Sequence, residues 1–305
     1  MTNKPPIPLI KLKDIMPSDA SCMTCAPDLE FENGSCIPLN ILLEMAEAYN
    51  KWTSSKGEED KIVLHTNLET LYPDEYKRYL LFEFKNRFNG NNHKKWMKEQ
   101  FTKLMSEETK DKLDNKIFRP DGPQGKFDWL STIDINQVLY QYEDKYNDFK
   151  FLGAVPIDFQ DLDYLPFKKL DFNEFKRDNI NRLGVIFNLD PSYKSGSHWV
   201  SLFIDLKDGK AYFADSYATT PPSEVKEFMK KIERYFKDNG ITNPDIRHNK
   251  TRHQRGNSEC GVYSINFILR LLKGKTFDHI CAKRVTDEQV NKCRNIYFNK
   301  KKIKI

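Results

Sequence analysis

Gln254-Arg255-Gly256-Asn257-Ser258-Glu259-Cys260-Gly261 is the stretch on which the reading of this chain turns. It is polar, and it runs directly into Val262, Ile265, Phe267, Ile268, Leu271 and Leu272, whose spacing predicts a helix that Gly274 terminates. Cys260 therefore falls at a loop-to-helix transition. A thiol that ionises there gains from the unpaired backbone N–H groups of the first helical turn. Taken alone, a cysteine at the head of an apolar helix is more often packing than chemistry, so its partners decide the matter.

Those partners lie upstream. Residues 198–205 carry the Val200, Leu202, Ile204 alternation of a strand, interrupted by the packable Phe203. Lys207-Asp208-Gly209-Lys210 reads as a turn and residues 211–214 as the returning strand. An antiparallel hairpin brings its open ends together, here His198 and Asp215, which are 17 residues apart. An imidazole can generate or stabilise a thiolate, and a carboxylate on its other nitrogen holds the useful tautomer. His198, Asp215 and Cys260 thus supply the chemical types of a nucleophilic constellation.

Working outward, a helix is expected over 133–142, strands over 151–156 and 185–189, and a polar loop over 191–197. A surface helix follows over 224–236, with Val225, Phe228, Ile232 and Tyr235 facing inward. This mixture makes the fold class α+β. The segment Arg119–Gly125, with Pro120, Gly122 and Pro123, sets a boundary near residue 120. It separates residues 1–120, a mainly helical N-terminal arm or recognition region, from residues 121–305, the chemical domain. Within the first part, Pro5, Pro6, Pro8 and Pro17 mark an extended arm. Helices are expected from Leu39 through Tyr49, over Pro73–Arg87, and from Lys94 to Lys110.

Composition bounds the rest. Of 305 residues, 39% are hydrophobic and 13% aromatic, enough for a packed core. No apolar run approaches the ~20 residues that span a bilayer, and no signal-peptide core is evident, so a cytosolic, nuclear or particle-enclosed protein without membrane insertion is expected. Six cysteines, unevenly spaced, are expected as reduced thiols. The formal charge of +5 is concentrated at Lys292, Lys300, Lys301, Lys302 and Lys304 and again at Lys94, Lys95 and Lys98, which reads as a solvated surface or as a contact for nucleic acid or an acidic partner. Cys22, Cys25 and Cys36 are suitable soft ligands but lack an evident fourth, with His65 distant. Joining His248 and His253 to Cys260 would consume the nucleophile. No metal and no organic cofactor is expected.

The segments His198-Trp199, Asp215-Ser216 and Gln254 through Gly261 resemble the His, Asp, Gln and Cys regions of the ubiquitin-like-protein protease superfamily, which includes SUMO proteases and the adenovirus protease. The resemblance covers about residues 126–295 and rests on motif order, the interval of six residues from Gln254 to Cys260, and Gly261 after the thiol. It implies a papain-like cysteine protease fold of that type, with an N-terminal mainly helical extension. Trp129-Leu130-Ser131-Thr132-Ile133-Asp134-Ile135, then Tyr142-Glu143, together with Ser35-Cys36-Ile37-Pro38, is similar to polyprotein-processing cysteine proteases of large cytoplasmic DNA viruses such as African swine fever virus.

The resemblance implies roles residue by residue. Cys260 attacks the scissile carbonyl, His198 moves the proton, Asp215 orients His198, and Gln254 donates to the oxyanion. Trp199 covers the cleft or packs its strand, and Asn257 and Ser258 contact substrate or shape the loop. Glycine-rich targets of Gly-Gly-X type follow, on a viral structural polyprotein or a ubiquitin-like protein conjugate, with residence in the virion and host cytoplasm or the nucleus. A non-catalytic scaffold binding virion proteins or nucleic acid is the reading from a different class.

Overall fold

The computed structural model describes residues 24–57, 60–88, 90, 93–123 and 125–299. The proline-rich arm, Cys22 and Lys300 onward lie outside that set. The chain divides into two compact units, one spanning Thr24–Arg119 and one running on from Pro120.

In the smaller unit, α1 (Leu39–Ser55) follows Pro38 and buries Ile41, Leu42, Met45, Ala46 and Tyr49, the three- and four-residue recurrence that a single helical face requires. Helix α2 (Pro73–Arg87) begins on a proline at its first position and carries Asp74 and Glu75 in its first turn and Lys85 and Arg87 in its last. All three features suit the helix dipole and its unpaired ends. Tyr49, Phe84, Phe88 and Phe101 meet edge to face or stacked, Trp96 lies tilted against Phe84, and together they make this unit's core. The helix expected over 94–110 is broken into His93–Trp96, a tight turn at Gln100–Leu104 and a short helix Glu107–Asp111. Trp96 and Phe101 both point inward five positions apart, which one α-helical face does not allow, and Ser106 starts the next helix by accepting the Thr109 N–H.

The expectation of reduced thiols needs correction here. Cys25 and Cys36 form a disulfide with Cα atoms 5.3 Å apart, and both are buried. Cys25 bridges to Phe118, where Ala26 N–H donates to Ile117 O at 2.9 Å, and a turn in which Glu32 and Ser35 exchange backbone bonds folds Cys36 back onto it. Spacing alone could not reveal that fold-back.

The larger unit is built on a five-stranded sheet in the order β1 (Phe149–Pro156), β2 (Arg182–Asn188), β3 (Trp199–Asp205), β4 (Lys210–Ala214), β5 (Asp245–His248). The outer pairs are parallel and the inner ones antiparallel. Helix α3 (Thr132–Lys145) precedes the sheet and starts in a capping box of Ser131 and Asp134. Helix α4 (Ser223–Asp238) joins β4 to β5, and α5 (Cys260–Leu272) follows β5.

Both sheet faces are covered, which explains the interrupted alternation of β3. Val200, Leu202 and Ile204 pack toward Val225, Phe228, Ile232 and Phe236 of α4, while Trp199 and Phe203 belong to the opposite core with α3 and α5. Tyr235, expected inward, is half-buried, and Phe236 takes the interior place. All thirteen residues of α5 are buried, as expected for a helix apolar almost all round. A Cβ on Gly184 of β2 would come within 3.1 Å of the Phe149 ring and 3.3 Å of Ile268 Cδ1, so the missing side chain lets α5 lie close to the sheet. Strand β5 was not expected, because Asp245-Ile246-Arg247-His248 is a mostly polar, half-buried edge without alternation.

Candidate active site

The β3–β4 hairpin does what its length predicts. His198 immediately precedes β3, Asp215 immediately follows β4, and His198 Nε2 lies 2.6 Å from Asp215 Oδ1. Asp215 is buried, and its backbone is gripped on both sides by the buried Asn249: Asp215 N–H donates to Asn249 Oδ1 at 2.9 Å, and Asn249 Nδ2 donates to Asp215 O at 2.7 Å. The Asp215 carboxylate also accepts the N–H groups of Tyr217 at 2.9 Å and Thr219 at 3.2 Å. These bonds fix the carboxylate before any ligand arrives.

With Nε2 held by Asp215, the remaining imidazole nitrogen, Nδ1, is left for Cys260, the first residue of α5. Burial pulls the His198 pKa down, but hydrogen bonds with Asp215 and Cys260 and their negative charges overcome it and raise it to about 9. The protonated imidazolium is the form so favoured.

Gln254 is fully buried and its orientation is specified. Ser216 Oγ donates to Gln254 Oε1 at 2.6 Å, so the NH₂ group points the other way, where one of its hydrogens is given to Gly256 O at 3.1 Å. Glu259, buried just before Cys260, accepts the Ser258 N–H at 3.1 Å and the Asn291 amide at 3.1 Å. Asp287 accepts the N–H groups of Arg255 at 3.1 Å and Gly256 at 2.9 Å. The loop from 254 to 259 is therefore tied down along its length.

The other expected residues separate. Trp199 is buried, donates its indole N–H to Leu130 O at 2.9 Å, and lines the inner part of a cleft of about 660 Å³ whose walls include Trp129, Tyr164, Asn188 and Gly196. A Cβ on Gly261 would stand 3.0 Å from Leu130 Cβ, which places Leu130, part of the cleft wall, beside the start of α5. Asn257 is exposed on the loop. Ser258 is buried, with its hydroxyl donating to Lys126 O at 3.2 Å and Glu259 Oε1 at 3.1 Å, a place in the loop's internal structure. Asn249, Tyr217 and Asp287 were not singled out from sequence; each acts on backbone groups, which leaves no residue-type signature.

Among the described residues there is no cluster of three or more His, Cys, Asp or Glu suited to a metal. Nor is any helix long and apolar enough to cross a membrane. Lys95, Lys98 and Lys292 are exposed, whereas the Lys94 side chain and Lys300, Lys301, Lys302 and Lys304 lie outside the description.

Residues 178–304 match the model of the Ulp1 protease family, C-terminal catalytic domain. A thiol protease of Acanthamoeba polyphaga mimivirus is 36% identical over 281 residues, which are 90% of this chain and 92% of that relative. A SUMO-1 cysteine protease of African swine fever virus is 26% identical over 196 residues, covering 59% of this chain and 71% of the relative. In fold, the crystal structure of an African swine fever virus protease matches with a TM-score of 0.64 at 19% identity, over 95% of this chain and all (100%) of that one. The family match and the thiol protease relative make the chain a cysteine protease. The chain belongs to the Ulp1 protease family.

Proposed function

We propose that the protein is an endopeptidase that cuts viral structural polyproteins at Gly-Gly-X sites, using Cys260, His198 and Asp215. The observation that carries this reading is the cleft lined by Trp199 and Leu130, of which Leu130 packs beside Gly261 at the start of α5. Small residues pass an aromatic wall that larger side chains would meet. Cys260 Sγ attacks the scissile carbonyl carbon, and the C=O electron pair moves onto oxygen. That oxyanion is met by Gln254 Nε2 and the Cys260 backbone N–H, a type of contact worth roughly 2.7–4 kcal/mol per donor. The tetrahedral adduct collapses as His198 Nδ1–H protonates the leaving amine, which departs and leaves a thioester. His198 then takes a proton from water, the water oxygen attacks the thioester, and the Cys260 thiolate is released with a free carboxylate product.

Extended likeness to the mimivirus thiol protease, over 90% of the chain, supports a viral substrate. The name of the African swine fever virus relative, a SUMO-1 cysteine protease, supports a second reading, removal of a ubiquitin-like protein from its conjugates by the same acyl transfer. Purified protein should be offered Gly-Gly-X peptides, the viral structural polyprotein, and folded SUMO or ubiquitin conjugates. Cleavage of the first two is expected; turnover confined to folded conjugates would replace the polyprotein reading with the second. Cys260→Ala should abolish turnover while retaining substrate binding, measured by product release and by direct titration. Undiminished turnover in that variant would remove Cys260 as the nucleophile.

A further inference from the structure

Tyr217 stands two residues after Asp215 and contacts Asp215, the His198 ring and the Gly256 carbonyl. Its backbone N–H donates to Asp215 Oδ1 at 2.9 Å, the same oxygen that binds His198. Its ring stacks on the His198 imidazole, with centroids 4.9 Å apart and planes at 25°. Its hydroxyl donates to Gly256 O at 2.5 Å. That carbonyl is the one that also receives a Gln254 Nε2 hydrogen, at 3.1 Å, and the N–H of the same residue is anchored on Asp287 at 2.9 Å.

From this geometry we infer that Tyr217 is a positioning residue that locks the oxyanion-binding loop to the catalytic imidazole. The inference rests on the catalytic roles proposed above for His198, Gln254 and Cys260. The hydroxyl fixes the plane of the Gly256 carbonyl, and that carbonyl sets the direction of the Gln254 amide. The ring restricts rotation of the imidazole off Asp215 and, through its π face, favours the imidazolium over the neutral form. Burial first, and then the Cys260 charge, raise the Tyr217 pKa, so the phenol stays protonated and able to donate. The turn that carries it is specialised as well. Ala218 N–H closes it onto Asp215 O at 2.8 Å, and Ala218 itself has φ of 62°, a left-handed conformation that is unfavourable for a non-glycine residue. Such strain is commonly retained where geometry matters to function.

Two substitutions separate the two contacts. Tyr217→Phe keeps the stack and loses the hydroxyl; Tyr217→Leu loses both. Asp215 and Cys260 are the charged groups facing His198, and Arg252 lies 5.0 Å over the Tyr217 ring, so both variants keep those charges. Each is compared with wild type for melting temperature, for kcat and KM on Gly-Gly-X peptides, for the rate of Cys260 alkylation by iodoacetamide, which needs the thiolate and no oxyanion donor, and for the titration of the His198 ring followed by NMR. Tyr217→Phe should lower kcat about tenfold, with KM, the alkylation rate and the His198 titration unchanged, because loss of orientation costs less than loss of a donor, itself about 100-fold or more. Tyr217→Leu should in addition move the His198 titration down by roughly half a pH unit, the size of an exposed cation–π contact. If Tyr217→Phe keeps kcat within about twofold, or Tyr217→Leu keeps the wild-type His198 titration, the locking role is wrong. Equal losses of kcat and alkylation in both variants, tracking a lowered melting temperature, would reduce Tyr217 to packing. Should wild type cut none of the peptides, the substrate reading fails, and the His198 titrations still decide the role of the ring. Absence of selective Cys260 alkylation in wild type would instead defeat the catalytic reading itself.

Discussion

Among the described residues, Cys260 is set apart from the other free cysteines by its surroundings. Burial pushes the Cys281 thiol up to about 11 and Cys293 up to about 12, so neither supplies thiolate at neutral pH. A limiting dose of iodoacetamide at pH 7 should therefore label Cys260 well ahead of Cys281 and Cys293, as read by peptide mass spectrometry; comparable labelling of Cys281 would contradict the site. The alkaline side of activity follows from His198. Its pKa is raised to about 9, so the imidazolium persists through neutrality and is lost as pH climbs through that value. A fall in kcat/KM above about pH 9 is expected, and a limb already complete by pH 7 would show an imidazole without its partners. At this scale Cys260, His198 and Asp215 were readable because hairpin length and helix periodicity place them. Asn249 and Asp287 were not, because a side chain that holds another residue's backbone can sit anywhere in sequence that the fold brings near.

Among the elements, the connection from β2 to β3 delivers His198 and forms part of the cleft wall. Leu189 N–H donates to His198 O at 2.9 Å, and Asn188 Oδ1 accepts the N–H groups of Asp190 at 3.0 Å and Ser197 at 3.2 Å, closing the connection at its base. Gly196 has φ of +93° there, and a Cβ on it would lie 2.5 Å from Asn188 Nδ2. Gly196→Ala should cost about 1–3 kcal/mol in urea denaturation and lower kcat, since relief requires moving Asn188 off the amides that hold the approach to His198. Wild-type stability and turnover in that variant would show that the connection is not so constrained.

The turn leading to Gln254 carries a pH dependence of its own. Burial, then the charges of Arg270 and Arg284, lower the His253 pKa from 6.5 to about 4, and its Nδ1 accepts the Val285 N–H at 3.0 Å. The folded protein thus prefers the neutral ring. Its contribution to stability is complete above about pH 6.5 and is lost as pH falls toward about 4. Urea curves at pH 7 and pH 5 should diverge more for wild type than for His253→Gln. The hairpin and the long helices were legible because their apolar periodicity is strong. Strand β5 and the broken segment after Trp96 were not, being set by edge pairing and by Ser106 capping.

For the whole molecule, the boundary expected near residue 120 falls beside the division at Arg119 and Pro120. What composition could not convey was that cysteines of the smaller unit are joined. The closed loop between Cys25 and Cys36, with a separation of 11 residues, restricts the unfolded chain by about 3 kcal/mol on the chain-entropy account. Cys36→Ser should therefore reduce hydrogen-exchange protection across Thr24–Arg119 and leave protection in α5 near wild type. Unchanged protection in the smaller unit would show that its aromatic core alone suffices.

The molecule thus asks opposite things of its sulfur atoms. In its proposed role as nucleophile Cys260 must stay reduced, yet the cystine of Cys25 and Cys36 is an oxidised bond, shielded because both residues are buried. A reductant in solution meets that bond only during transient opening of its surroundings, so exposure time, as much as reductant strength, governs its survival. Two preparations with identical sequence and identical active-site titre can then melt differently, according to how long each has stood in a strong dithiol.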